Sequence, residues 1–356
     1  MKSLDQHLAA ANSLLAPYAV PHGGGLGRLY PETEDNVRFP FQRDRDRIIS
    51  TDAFKRLGGK MQVLPPSFSD HIRNRGTHTL EVANLARTLA RALGLNEDLA
   101  ECIALAHDLG HPPFGHAGES ALHVCTNGKF EHNEQSLRIV TTLAEHSGAN
   151  PGLNLSREIT NGMQKHSGNA NHLEGQVVDI ADAMTYTAHD PEDGIDAKLL
   201  TTDAIRKLAL GSRALELSDA RGTSLRGAIL HLLVADFLAT TREKIQALNI
   251  RTLDDVMKQP GPIVGYSDAM RDMLKEFRDF LHAEFYNHPT VLRETEKGQI
   301  IVKDLYAHYN VRPPKQVKDL QERTSSTLEV AVTDYIAGMT DDFAKRAHAE
   351  ITNECL

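Results

Sequence analysis

A histidine and an aspartate stand side by side at positions 107 and 108, at the end of the apolar run 102–106. A loop rich in Gly and Pro follows at once and brings His111, His116 and Glu119 close by along the chain. Neighbouring side chains on a helix point about 100° apart, so only a helix end allows both members of the pair to turn inward. Imidazole and carboxylate are good ligands for first-row metals. The pattern therefore indicates a metal site with acid–base groups beside it, whereas an isolated pair is more often a surface histidine and a helix cap.

Two helices must position this pair. Apolar residues from Val82 to Leu93 recur with helical spacing, and Gly94 stands where a helix C-cap is expected. Asn96 then caps a second helix, which runs to the pair. Two antiparallel helices joined by a short turn bring the start of the first beside the end of the second. His78, which opens the first helix, is therefore expected near His107.

A further ligand is expected to be a carboxylate from a third helix. The amphipathic stretch 173–189 contains Asp179, Asp182, Tyr186 and His189 at mostly helical spacing, and Asp190 follows directly. Polar groups along an otherwise apolar helix must find partners if they are buried. The sequence leaves two interpretations open for this stretch, a solvent-facing polar stripe and one wall of the site.

Helical patterns dominate the rest of the chain and predict an all-α fold. Further amphipathic stretches cover 134–145, 157–166, 199–210, 225–248, 268–286 and 328–351, and 299–302 is the best short strand candidate. We therefore predict an N-terminal arm over 1–37, a helical catalytic core over 38–290 and a C-terminal helical extension over 291–356.

Composition narrows the classes of partner. The 356-residue chain carries a formal charge of −9 and no Trp, which argues against a protein held mainly by nucleic-acid phosphates or stacked bases. Nine Lys and Arg against four acids lie between Arg38 and Arg75, a local +5 suited to a small polyanion. The alternative is that the alternating Arg and Asp residues of this stretch merely pair with one another.

The cysteines and the hydropathy bear on location. Cys102, Cys125 and Cys355 form no CxxC pair, which favours a reducing compartment and no thiolate metal site. The sequence contains no apolar run long enough to span a bilayer and no signal peptide. A cytoplasmic protein is expected.

These motifs resemble a known family. His78, His107, Asp108 and Asp182 look like the H…HD…D metal site of the HD superfamily. Within it, the runs 43–48, 54–57, 60–63, 107–116 and 334–341 resemble the dGTPase-like deoxynucleoside triphosphate triphosphohydrolases. The likeness extends from about Arg28 to Ala347, and it is the combination of motifs that is specific.

The resemblance implies an HD-domain helical fold and hydrolysis of a dNTP to a deoxynucleoside and inorganic triphosphate, by attack of water at the α-phosphorus. It implies a divalent metal on the four ligands, Mn²⁺ or Mg²⁺, with Fe, Co or Ni as alternatives, which would polarise the phosphoryl group. His132 resembles a general acid for the leaving 5′-oxygen. His116 and Glu119, with His111 nearby, form a second candidate acid–base set, and the sequence leaves the choice open.

The resemblance also assigns substrate contacts. Arg75 matches a phosphate-binding arginine, and Arg43, Arg47 and Lys60 are weaker candidates for the same task. Tyr186 and Asp190 match residues that contact the phosphate tail and the sugar. Gln62 resembles the residue that contacts the sugar 3′-hydroxyl.

Two other activities remain open, together with an assembly state. The same metal site suits a nucleotidase or phosphodiesterase, and a non-catalytic nucleotide-binding regulator is the third reading. The resemblance implies a homo-oligomer, a tetramer or a hexamer. Two apolar faces, within 225–237 and 332–339, suggest subunit contacts, with burial inside the chain as the alternative for the first.

Overall fold

A computed structural model describes residues 3–33, 35–65, 68–146, 148, 150–164 and 172–353. Within those ranges the chain forms eighteen α-helices and two π-helical turns, with isolated β-bridges and no β-strand. The prediction of an all-α fold is confirmed.

The helices follow one another closely along the chain. The first nine are α1 Leu4–Asn12, α2 Pro40–Ser50, α3 Asp52–Leu57, α4 Arg75–Ala92, α5 Glu97–Ala106, α6 His116–Cys125, α7 His132–Arg138, α8 Arg157–Gly162 and α9 Leu173–Asp196. The others are α10 Thr202–Arg206, α11 Ala209–Arg221, α12 Leu225–Ala247, α13 Leu253–Met257, α14 Asp268–Leu281, α15 Pro289–Val311, α16 Lys315–Thr324, α17 Leu328–Ala337 and α18 Asp341–Asn353. The π-helical turns are Ile139–Leu143 and His282–Tyr286.

The proposed strand at 299–302 was wrong, because these residues lie inside α15. The buried residues of that helix include Gly298, Val302, Leu305 and Tyr309, which recur every three or four positions. Such a stripe defines one helix face over several turns and outweighs an apolar run of three residues. The stretch predicted over 157–166 forms a helix that ends at Gly162. Its last two positions, like Cys355, fall outside the described residues.

The main apolar core forms where α4, α5 and α9 pack together, with α2 against α5. Caps fix the helix ends that matter for the site. The Asn74 side chain accepts a hydrogen bond from Thr77 N at the start of α4, and Asn96 does the same for Leu99 N at the start of α5. Gly94, between the two helices, has φ +71°, as a helix-terminating glycine requires.

A second apolar core joins the C-terminal helices to α6. It contains Phe114 and Leu122 together with Val302 of α15, Ile336 of α17 and Ala344 of α18. Helix α6 directly follows the loop that carries His111. The C-terminal helices therefore pack against α6, the helix that supports the loop carrying His111.

The apolar faces that suggested subunit contacts are buried inside the chain. Ile229, Leu233 and Phe237 of α12 are fully buried in the main core, and Val332 and Ile336 of α17 are fully buried in the second core. The argument for association from these faces was wrong, because a chain of this length folds enough helices to cover both.

The N-terminal arm packs on the core through buried carboxylates. Ala19 and Val20 are buried, and Glu174 of α9 accepts a hydrogen bond from Val20 N at 2.9 Å. Glu158 of α8 accepts from Gly25 N and Leu26 N at 2.6 and 2.7 Å. Residues 19–26 are therefore fastened to α8 and α9.

Among the described residues no single helix has the length and apolar character needed to cross a membrane. One pair, α11 and α12, passes that test jointly by length and composition, and it is bent by 111°.

Candidate active site

The His107–Asp108 pair lies at the C-terminal end of α5. The helix ends at Ala106, His107 is its C-cap, and both side chains of the pair are buried. Residues 107–110 form a turn directly after the helix, and His107 itself keeps α-helical backbone angles, so the pair lies at the very end of α5. The short α4–α5 connection brings His78, in the first turns of α4, to the same place.

The four predicted metal ligands converge. Asp182 Oδ1 of α9 lies 3.0 Å from His78 Nε2 and 3.6 Å from His107 Nε2. Asp108 Oδ1 lies 3.3 Å from the same His107 nitrogen. One ligand atom each of His78, His107 and Asp108 can be chosen so that all lie within 4.8 Å of one another. The arrangement has the donors and the compactness that a divalent ion requires.

The tautomer of His107 supports the fit of a cation. Its Nδ1 lies 2.6 Å from Ala104 O, and since a carbonyl only accepts, Nδ1 carries the proton. With that single proton on the ring, Nε2 would carry a lone pair directed toward the carboxylates of Asp108 and Asp182. Lone pairs and carboxylates that face one another repel unless a cation lies among them. These residues could therefore hold a divalent metal.

His189 contacts the side of the His78 ring that faces away from Asp182. His78 Nδ1 lies 3.0 Å from His189 Nε2, and His189 Nδ1 lies 2.8 Å from Asp190 Oδ1. Burial lowers the pKa of His78, although Asp182 acts in the opposite direction, so the ring is held neutral as a ligand must be. His189 was named in the sequence pattern without a role, and in the structure it contacts the predicted ligand His78 directly.

The second group of predicted residues stands beside the first. The rings of His111 and His132 are stacked with centroids 3.9 Å apart, and His111 Nε2 lies 3.3 Å from Asp108 Oδ1. Glu119 binds His132 Nδ1 at 2.6 Å and His116 Nδ1 at 2.9 Å. Burial acts to raise the pKa of Glu119, but hydrogen bonds from His116 and His132 outweigh it and hold that pKa well below its usual range.

Exposure separates the two acid–base candidates. The side chain of His132 is 17% exposed, and that of His116 is 73% exposed. Burial, with Arg75 nearby, holds the pKa of His111 well below its usual value, so that ring is neutral and suited to packing beneath His132. The arrangement favours His132 as the sheltered acid–base group and leaves His116 at the rim.

Arg75 lies beside the metal group, that is, the four predicted ligands His78, His107, Asp108 and Asp182. Its Nη1 donates to Asp108 Oδ2 at 2.8 Å, and the side chain is 1% exposed. Its Nε and Nη2 are buried and have no hydrogen-bond partner in the described part of the chain. Buried guanidinium N–H groups normally donate hydrogen bonds to an acceptor. We therefore expect a ligand rich in oxygen atoms to accept from these two groups.

The other predicted phosphate contacts have different surroundings. Lys60 is 1% exposed, and its Nζ donates to the carbonyl oxygens of His111 and Ala337. Burial, with Arg56 and Arg75 nearby, lowers the pKa of Lys60 to about 7. Nζ donates to two internal carbonyls, which favours a structural role, and the assignment of Lys60 as a phosphate ligand stays a prediction.

Arg43 lies in an ion-pair cluster at the N-terminal arm. Its Nη1 donates to Thr33 O at 2.8 Å and lies 3.4 Å from Glu32 Oε1, and Arg47 Nη2 binds the same Glu32 oxygen at 2.6 Å. The assignment of Arg43 to substrate stays a prediction. The positive charge counted along this stretch is largely matched by carboxylates, several of them distant in sequence.

The far end of α9 meets the end of α14. The Arg278 guanidinium lies 5.6 Å from the centre of the Tyr186 ring, and the Tyr286 hydroxyl donates to Asp190 Oδ2. Asp190 Oδ2 is thus bound by Tyr286, and Asp190 Oδ1 lies 2.8 Å from His189 Nδ1. Gln62 Oε1 is buried without a hydrogen-bond partner among the described residues. Sequence reasoning identified the stretch 268–286 only as a helix and missed Arg278 and Tyr286, which no local pattern marks.

Ser136 on α7 is another residue that sequence reasoning missed. Its hydroxyl accepts from Gly110 N at 2.8 Å and lies 2.8 Å from His107 O and 2.9 Å from His132 O. It therefore ties α7, which begins at His132, to the turn that carries the predicted metal ligands His107 and Asp108. Serine is too common for its type alone to have signalled this.

Gly110 allows this close approach, and its substitution is predicted to disrupt it. A Cβ at Gly110 would lie 2.2 Å from Ser136 N and 2.4 Å from His132 O, both backbone atoms of α7. We expect Gly110→Ala to displace α7, to lower the free energy of unfolding by about 1–3 kcal/mol and to remove most activity. Urea denaturation and turnover measure both effects. Gly261→Ala is the matched control, since nothing lies within 4 Å of its Cβ position; equal behaviour of the two variants would contradict the prediction.

Two matches to known protein families define the class of this protein. Residues 75–187 match the HD domain, and residues 264–350 match the phosphohydrolase-associated domain. The protein is an HD-domain phosphohydrolase, as its buried His and Asp group and adjacent acid–base residues suggest.

The full-length relatives define the family more narrowly. The chain is 40% identical to the deoxyguanosinetriphosphate triphosphohydrolase-like protein of an Azoarcus species, covering 95% of this chain and 96% of that relative. It is 39% identical to the protein of that name in Brucella suis, over 94% of this chain and 95% of the relative. The corresponding protein of Leptospira interrogans is 37% identical over 98% of this chain and 99% of its own length. The chain belongs to the deoxyguanosinetriphosphate triphosphohydrolase-like family, so the resemblance inferred from the motifs is confirmed.

Proposed function

We propose that this protein hydrolyses a deoxynucleoside triphosphate to a deoxynucleoside and inorganic triphosphate, by attack of water at the α-phosphorus. The observation that carries the proposal is Arg75, whose buried Nε and Nη2 lack partners while its Nη1 binds the metal-site carboxylate of Asp108. A phosphate beside the metal group would supply the missing acceptors. The names of the relatives support the same substrate class.

The metal is proposed to be Mn²⁺ or Mg²⁺, with Fe, Co or Ni as alternatives, held by His78, His107, Asp108 and Asp182. When bound, a divalent ion supplies Lewis-acid polarisation of a phosphoryl oxygen. The chain's own contribution is to orient the two imidazoles, through Ala104 O behind His107 and His189 behind His78. Fixed ligands with supported tautomers preserve the site geometry during turnover.

His132 is proposed as the general acid for the leaving 5′-oxygen. Its Nδ1 is bound by Glu119, which leaves Nε2 as the atom that can give a proton. The Glu119 carboxylate also stabilises a positive charge on the ring, and the stack on neutral His111 fixes its plane. His116, bound to the other oxygen of Glu119, is the alternative proton carrier at the exposed rim.

The deoxyribose and phosphate tail are proposed to lie between α9 and the residues that face it. Gln62 has a buried, unused acceptor, and Tyr186 and Tyr286 present phenol groups near Asp190. A rigid side chain packed beneath C2′ would exclude a ribose by contact. Asp190 is already bound by Tyr286 and is 2.8 Å from His189, so a sugar contact through Asp190 would have to share these partners.

Product analysis tests the proposed reaction. Purified protein would be incubated with each dNTP and the corresponding NTP, with Mn²⁺ or Mg²⁺, and the products separated by anion-exchange chromatography. Intact triphosphate and a deoxynucleoside are the expected products. Release of orthophosphate or a monophosphate would instead identify a nucleotidase or phosphodiesterase. Tight nucleotide binding without turnover would identify a regulator.

We also expect a symmetric homo-oligomer, a tetramer or a hexamer, on the strength of the family resemblance. Light scattering at micromolar concentration should report a mass several times 39.3 kDa. Because a closed symmetric assembly contains a fixed number of subunits, the measured mass should be a single discrete value rather than a broad distribution. A monomer that hydrolyses dNTPs at the full rate would contradict this expectation.

A further inference from the structure

One motif of the sequence, the segment Asp334–Asp341, has no part in the reaction as described so far. It spans the end of α17 and the start of α18, and both of its terminal carboxylates are buried. We propose that this segment positions the stacked His111–His132 pair, with Asp334 acting through α7 and Asp341 through the catalytic loop. The inference deepens the proposed function, since it rests on the role given there to His132.

Asp334 holds the helix that carries His132. Its Oδ1 accepts from Gln135 Nε2 at 2.9 Å, and its two oxygens accept from Arg138 Nε and Nη2 at 2.7–3.0 Å. The Asp334 side chain is 1% exposed, so these bonds lie away from competing water. A two-pronged arginine–carboxylate pair fixes orientation as well as distance. Helix α7 is thereby fastened to α17 along the turns that follow His132.

Asp341 holds the loop that carries His111. Its Oδ1 accepts from Phe114 N at 2.8 Å, and its Oδ2 accepts from Met61 N at 2.9 Å. Phe114 has φ +63°, a left-handed conformation that is unfavourable for a bulky residue and needs support from its surroundings. Helix α15 adds to that support, because Gly298 lies so close to Phe114 that a Cβ there would be 2.8 Å from its side chain.

Lys60 links the loop to the middle of the segment. Its Nζ donates to His111 O and to Ala337 O, which lie 51 and 277 residues away along the chain. The backbone of the same region is also fixed, since Arg75 N donates to Lys60 O and Asp341 N donates to Gly59 O. One buried ammonium therefore joins the residue beneath His132 to α17.

These contacts hold both stacked rings, His111 and His132, against the segment Asp334–Asp341. His111 is held through Lys60 and, by way of Phe114, through Asp341, whereas His132 is held through Asp334. The predicted metal ligands belong instead to α4, α9 and the end of α5. Loss of the carboxylate of Asp334 or Asp341 should therefore displace the stacked His111–His132 pair, while the predicted metal ligands keep their positions.

The test uses the isosteric variants Asp341→Asn and Asp334→Asn in the full-length protein. Asparagine keeps one acceptor oxygen, so Asp341→Asn loses one of its two backbone bonds without a change of size. Asp342→Asn is the matched control, because its side chain is 81% exposed and pairs only at the surface with Lys345. Lys60→Met, which removes the donor to His111 O, provides a third probe should an aspartate variant fail to fold.

We expect kcat to fall by about ten- to hundredfold in each probe variant, as misplacement of a reacting group by about an ångström does. KM should stay within about threefold, and metal content by mass spectrometry should match that of Asp342→Asn. Crystal structures should show the His111–His132 centroid distance changed from 3.9 Å. Folded variants that keep both this distance and kcat overturn the inference.

The measured distance between the His111 and His132 rings tests the positioning role separately from the proposed function. If the wild-type protein releases no triphosphate from any dNTP, the proposed function fails. A displaced stack in Asp341→Asn but not in Asp342→Asn would still support the positioning role. An undisturbed stack in all three probe variants overturns the positioning role, whatever the substrate proves to be.

Discussion

Asp108→Ala is expected to abolish both bound metal and turnover. The carboxylate faces His107 and His111 through Oδ1 and binds Arg75 through Oδ2, so its loss removes a ligand and also leaves a buried guanidinium unpaired. His107→Ala should have the same effect, since the ring supplies the Nε2 lone pair oriented by Ala104 O. Metal content by mass spectrometry and initial rates measure the two losses.

The control for this prediction is Asp219→Ala, an exposed aspartate on α11. It should retain metal and activity at the wild-type level. Normal metal content together with normal turnover in Asp108→Ala would refute the assigned metal group.

His132→Ala is expected to keep the metal and to lose catalysis by roughly a hundredfold or more, the range for a general acid. The ring is bound to Glu119 and stacked on His111, and it is not one of the four converging ligands. The decrease should appear in kcat rather than in metal content. His231→Ala, an exposed histidine on α12, is the matched control.

A companion variant, His116→Ala, decides between the two acid–base sets. If His132 is the acid, His116→Ala should cost much less, because the His116 side chain is 73% exposed and reaches the site through Glu119. Unchanged kcat in His132→Ala would transfer the role to His116 and Glu119.

The fold class was predictable because it depends on local patterns. Helical spacing of apolar residues identified α4, α5 and α9, and caps such as Asn96 marked their ends. The strand predicted at 299–302 failed because three apolar residues are too few to establish a period, whereas the buried stripe of α15 extends over several turns.

The candidate ligands were predictable because two short helices and their connection constrain their ends. His78 and the His107–Asp108 pair had to meet once α4 and α5 were antiparallel, and Asp182 was the helical residue of the right type to join them. The structure brings these four side chains together. Their role as metal ligands stays a prediction that the variants above test.

The sequence by itself determined the all-α fold class and the phosphohydrolase family, and it nominated the site residues, because these depend on residue type and spacing over a few turns. Only the tertiary structure decided which polar groups face the site and which hold it. Lys60 looked like a phosphate ligand by charge, yet its acceptors are carbonyls of His111 and Ala337. Charge counting reports neither direction nor partner, and a hydrogen bond across 277 residues exists only after the chain has folded.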